Sequence, residues 1–93
     1  MAIFNASLPA GEECELKLST GVNLAGAVAQ WRLYSLATNE DVIAATLGDG
    51  IDILSAADGV LGVTFDTTGL VGSYGHECTV DGQNIVTGVL TVE

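Results

Sequence analysis

Ninety-three residues with twelve carboxylates against Lys17 and Arg32 alone, a formal net charge of −10, make one small acidic domain. Binding to a nucleic-acid backbone or an anionic membrane is excluded as an expectation, because neutralising phosphates takes clustered Lys and Arg. Twelve glycines, one proline and a wealth of Val and Thr favour strands joined by tight turns over helices, and no segment carries helical periodicity.

Residues 1–8 read as an apolar arm, either an edge strand or a tail that docks on a neighbouring subunit, with Ile3 and Phe4 as its contact residues. The start of the chain has no basic n-region and no apolar run long enough for a signal peptide or a membrane span, so synthesis in the cytosol is expected. Without secretion, the glycosylation pattern Asn5-Ala6-Ser7 carries no weight. Pro9-Ala10-Gly11 breaks the chain. From Glu13 to Ser19 the residues alternate, Cys14, Leu16 and Leu18 against Glu13, Glu15, Lys17 and Ser19, which predicts a half-solvated antiparallel strand. Thr20 to Gly26 is a connector anchored by Leu24.

Alternation over Ala27–Ala37 puts Ala29, Trp31 and Leu33 inward. It leaves Tyr34 and Leu36 facing out or toward a partner. Thr38-Asn39-Glu40-Asp41 is a polar turn, and a further strand is expected over Asp41–Leu47. Gly48-Asp49-Gly50 turns into the short strand Ile51–Leu54, and Ser55 to Gly59 turns again. Leu61, Val63 and Phe65 alternate on one side, and Tyr74, His76, Cys78 and Val80 alternate after a glycine-rich corner. Asp81-Gly82 is typical of a two-residue hairpin loop. The last strand, Asn84–Val92, is apolar on both faces, which suits a strand covered on both sides. Some seven short strands at sandwich spacing predict an all-β fold, a compact antiparallel β-sandwich of immunoglobulin-like type. A small closed β-barrel is the alternative.

Four groups invite a chemical reading, and each has a structural counterpart that outweighs it. Asp66-Thr67-Thr68-Gly69 is close to the Asp-Thr-Gly of aspartic proteases, but it has an inserted Thr and no second copy to share a proton. Asp49, Asp52 and Asp58 flank one short strand and could offer oxygens to calcium, though their spacing is not that of an EF-hand. His76 and Cys78 could make a thiolate pair, yet nothing nearby in sequence would orient them. Cys14, Trp31 and Cys78 occur in the order of the immunoglobulin Cys-Trp-Cys hallmark, but Tyr74 precedes Cys78 by four residues where that pattern has two. In a reducing compartment two packed thiols are expected ahead of a disulfide. No catalytic, cofactor or metal residue is therefore assigned.

Five stretches carry a resemblance: Cys-Glu-Leu-Lys-Leu at 14–18, Asn-Leu-Ala-Gly-Ala-Val-Ala-Gln-Trp-Arg-Leu at 23–33, Asp-Gly-Val-Leu-Gly-Val-Thr-Phe-Asp-Thr-Thr-Gly-Leu at 58–70, Gly-Ser-Tyr-Gly-His-Glu-Cys-Thr-Val at 72–80 and Thr-Gly-Val-Leu-Thr-Val at 87–92. In this spacing of apolar and glycine positions the chain resembles the small β-sandwich domains of tailed-bacteriophage virion proteins, including amino-terminal domains of baseplate proteins. Those baseplate proteins carry the domain within a longer chain, whereas Glu93 follows directly on the last strand here. The resemblance thus implies a free-standing virion component without enzymatic activity, above all a capsid decoration or cement protein. Its partners would be the major capsid protein or other virion proteins, and a homo-oligomer is compatible with it. A tail, neck or baseplate adaptor is the alternative within that class. A carbohydrate-binding module is the alternative outside it, with Tyr34 as the single candidate aromatic. Ile3, Phe4, Tyr34 and Leu36 are the expected partner contacts.

Overall fold

A computed structural model describes residues 2–93. The chain is all-β, with strands β1 (Ala2–Ile3), β2 (Ala6–Leu8), β3 (Glu13–Ser19), β4 (Ala29–Ser35), β5 (Asp41–Leu47), β6 (Gly50–Ser55), β7 (Val60–Asp66), β8 (Gly72–Val80) and β9 (Gln83–Val92). They run in the order β1-β9-β8-β4-β5-β6-β7-β3, with β2 following β1 along the free side of β9. The sheet curls into a half-barrel. Its inner face buries Leu18, Trp31, Leu33, Leu61, Val63 and Leu90.

Alternation decides each inner face. Leu16 and Leu18 are buried on β3 while Glu13, Glu15 and Lys17 stay in solvent, and Trp31 is buried on β4 with its ring 4.9 Å from that of Phe65. Removing about 25 cal/mol per Å² of apolar surface from water is the main force that fixes these registers, because a slip by one residue would turn each core residue outward. Leu24 anchors its connector, as expected. The β8–β9 hairpin turns on Asp81 (φ 51°) and Gly82 (φ 82°), both in the left-handed region that a two-residue turn of this twist requires.

Three expectations need correction. The ladder is mixed and not wholly antiparallel, because β1 and β2 run parallel to β9 and because β5 and β6 meet in parallel over two residue pairs, Thr46 with Gly50 and Leu47 with Ile51. The barrel alternative is not realised, since among the described residues no ladder joins β3 to β1 or β2 at the two ends of the path. Instead the two edges approach at one corner. There the buried Thr67 hydroxyl donates to the Pro9 carbonyl (2.8 Å) and accepts from the Glu12 amide (3.1 Å). Finally, β9 is covered on one face only. Val86, Leu90 and Val92 are buried, and Val89 faces solvent.

Candidate functional site

Residues 2–8 form an edge strand of the chain's own sheet, broken at Phe4 and Asn5. At the break the Phe4 amide still donates to the Thr87 carbonyl (2.9 Å), but the Phe4 carbonyl turns inward. The Asn5 side chain takes its place in the ladder, Oδ1 accepting from the Val89 amide at 2.8 Å. Gly88 makes the inward turn feasible, since a Cβ there would overlap the Phe4 carbonyl oxygen.

The turned carbonyl ends a buried polar chain. Trp31 Nε1–H donates to His76 Nδ1 (3.1 Å), so His76 carries its proton on Nε2 and donates it to the Phe4 carbonyl (2.7 Å). Both partners therefore demand the same neutral tautomer. Burial holds the His76 pKa below the ordinary imidazole range, with the bond to the Phe4 carbonyl acting in the opposite sense. Both ring nitrogens are thus engaged, and His76 has none left to activate Cys78. Burial pushes the Cys78 thiol up to about 11, which keeps it protonated and inert at neutral pH. Both cysteines are free thiols, Cys78 buried and Cys14 half-buried.

The outer face of β5-β4-β8-β9 carries a second cluster. Gln30, Arg32 and Tyr34 project from β4 beside Thr79, Glu77 and Gly75 of β8. Arg32 Nη1 donates to Asp41 Oδ1 (2.5 Å) and Nε donates to Glu77 Oε1 (2.6 Å), while Asn84 Nδ2 donates to Glu77 Oε2 (3.1 Å). The hydrogen bonds to Asp41 first and Glu77 second raise the already high pKa of the guanidinium. Arg32 also covers the Tyr34 ring, its Cζ lying 4.2 Å from the centroid. The hydroxyl end of that ring fills the space a Cβ at Gly75 would need. Beside the cluster lies a hollow of about 280 Å³ lined by Gln30, Arg32, Asp41, Ala44, Glu77 and Thr79.

Of the expected contact residues, Ile3 and Leu36 are exposed, Tyr34 is half-buried beneath Arg32, and Phe4 packs against the core with its ring edge-on to His76. Tyr34 is therefore no open platform for a sugar ring. Asp66 accepts from the Thr68 hydroxyl and amide, which lowers its pKa, the reverse of what sharing a proton would do. Asp49, Asp52 and Asp58 are not drawn together, and among the described residues no three acidic, His or Cys side chains form a metal-holding group. Asp58 instead accepts from the Ser55 hydroxyl. The Arg32 network, the place of Asn5 in the ladder and the close approaches at Gly75 and Gly88 are absent from the sequence expectations. A cation at an outward strand position and glycines in mid-strand were the available signals.

Neither protein-family models nor curated proteins give a match to this chain.

Proposed function

We propose that the chain is a non-enzymatic structural protein of a bacteriophage virion, a capsid decoration protein that binds the outer shell through the major capsid protein. The reading starts from the resemblance in glycine and apolar spacing. The observation that carries it further is the commitment of the interior ionisable groups to scaffold: both His76 nitrogens are occupied, the Cys78 thiol is protonated, and among the described residues no buried side-chain polar atom lacks a partner. Such a domain offers surface and not chemistry.

The finer fold belongs to the same proposal. We read the half-barrel as an immunoglobulin-like sandwich, one layer being β1/β2-β9-β8-β4-β5 and the other β6-β7-β3. The two-pair contact between β5 and β6 supports this as the seam where the chain changes layer. Cys14, Trp31 and Cys78 lie on β3, β4 and β8, which is compatible with the hallmark order, and Tyr74 accepts a hydrogen bond from the Val71 amide (3.2 Å) at the corner before β8.

Co-sedimentation with purified capsids and, separately, with purified tails tests the assignment. Saturable binding to capsids is expected. Binding to tails alone would transfer the assignment to a tail or baseplate adaptor, and binding to neither particle would refute it.

A further inference from the structure

We propose that the outer face of β1-β9-β8-β4-β5 is the contact surface between two copies of this chain. An apolar stripe crosses it at right angles to the strands, from Val42 on β5 through Tyr34 and Gly75 to Val89 on β9 and Ile3 on β1. The registers that pair Tyr34 with Gly75, Gly75 with Val89 and Ile3 with Thr87 bring Tyr34, Gly75, Val89 and Ile3 to one side, and Val42 adjoins Asp41, the partner of Arg32 on that face, at the β4–β5 bulge. Val42, Val89 and Ile3 are 42%, 38% and 72% exposed. Gly75 keeps the stripe low, because Tyr34 lies where a side chain would stand.

The distribution of charge selects the occupant. On this face Arg32 meets Asp41 and Glu77, a net charge of −1. Lys17 and the other ten carboxylates, net −9, lie elsewhere, with Glu40 and Asp81 in the turns at the two ends of the face. A basic partner would gain most on the remaining surface. A second copy is repelled there and meets least repulsion here. Under a two-fold axis, stripe lies against stripe, or stripe enters the hollow over Ala44 of the twin. Arg32 Nη2, which has no hydrogen-bond partner within the chain among the described residues, is left to meet the twin's carboxylates.

Area sets the strength. Five strands at about 4.8 Å spacing and about seven residues at about 3.3 Å give a projected face of roughly 550 Å². Two copies then bury roughly 1,100 Å², at the low end for specific pairs, so the dimer is weak and concentration-dependent. Salt strengthens it by screening two bodies of charge −10.

Sedimentation equilibrium from about 10 µM to about 1 mM protein, in about 20 mM and about 500 mM salt, tests this. A monomer–dimer equilibrium that tightens with salt is expected. Val89→Asp and Val42→Asp should each weaken it about tenfold or more. Leu54→Asp, on β6 outside the proposed face at similar exposure and with the same change of charge, should leave it within about twofold. Thermal midpoints close to the parent's establish that the variants fold. A monomer under all conditions would overturn the proposal, as would equal weakening by Leu54→Asp. So would a monomer that Val89→Asp releases from capsids, since the face would then belong to a foreign partner. The sedimentation outcomes do not depend on the virion assignment.

Discussion

His76 joins the core indole to the amino-terminal strand only while it is neutral. A second proton would land on Nδ1 and displace the Trp31 bond. The unfolded chain binds that proton near the ordinary value of about 6.5, and the folded chain binds it lower because of burial. The contribution of His76 is therefore complete above about 6.5 and is lost as pH falls through the folded-state value. Urea unfolding of the parent and of His76→Gln, followed from pH 8 to pH 5, should show the parent losing stability relative to the variant as the pH drops. Parallel curves would contradict the assignment. Cys78 is the titratable neighbour on the same face of β8, and it stays a thiol throughout this range. Iodoacetamide on the native protein should accordingly modify Cys14 alone, with Cys78 reacting only after denaturation, as peptide mapping would reveal. The two close-approach glycines should differ in a graded way. Gly88→Ala pushes on the Phe4 backbone and should cost about 1–3 kcal/mol, whereas Gly75→Ala pushes on the swinging end of Tyr34 and should cost about 1 kcal/mol or less, both read from urea midpoints.

Strand by strand, the amino-terminal edge is the element whose role the pattern leaves open, and the registers lay it along β9. Removing residues 1–8 uncovers β9, strips Phe4, Ala6 and Leu8 from the core, and leaves the buried Nε2–H of His76 without an acceptor. An unsatisfied donor alone costs about 1–3 kcal/mol, so the truncated protein should unfold at distinctly lower urea and bind a hydrophobic dye. An unchanged midpoint would mean that the arm serves only for docking. Sequence pattern fixes faces well and neighbours poorly. Glu13–Ser19 forms over the residues its spacing predicts, because alternating burial is written into each position, and Asp41–Leu47 forms over the residues expected of it without such alternation. Alternation over Ala27–Ala37 runs two residues past the strand, where Ser35 Oγ accepts from the Ala37 amide and starts the turn. That β1 and β2 lie parallel to β9, or that Arg32 stands between Asp41 and Glu77, depends on contacts between distant segments, which no local period encodes. The same holds for Asn5, whose place in the β9 ladder shows only once the break at Phe4 is seen.

Across the molecule as a whole, self-repulsion is the main electrostatic term against the fold. Ten of the twelve carboxylates have no ion pair among the described residues, and Lys17 has none either. The one network, around Arg32, is partly shielded from solvent and is screened less than the exposed acids. Raising salt from about 20 mM to about 500 mM should therefore lift the thermal midpoint by several degrees, because the Debye length shrinks below the spacing of most surface carboxylates. A midpoint that falls with salt would show that attraction outweighs repulsion.

The parallel pairing of the first and last strands has a mechanical consequence. Ala2 pairs near the middle of β9, Leu8 pairs with Val92 at its far end, and the two segments run side by side in the same direction. Tension applied between the two ends of the chain pulls these neighbours past each other along their length. It loads the rungs of the ladder together in shear, where an antiparallel hairpin would unzip them one at a time. A domain held this way resists stretching between its ends more strongly than its modest thermodynamic stability implies, and it yields abruptly when the clamp fails.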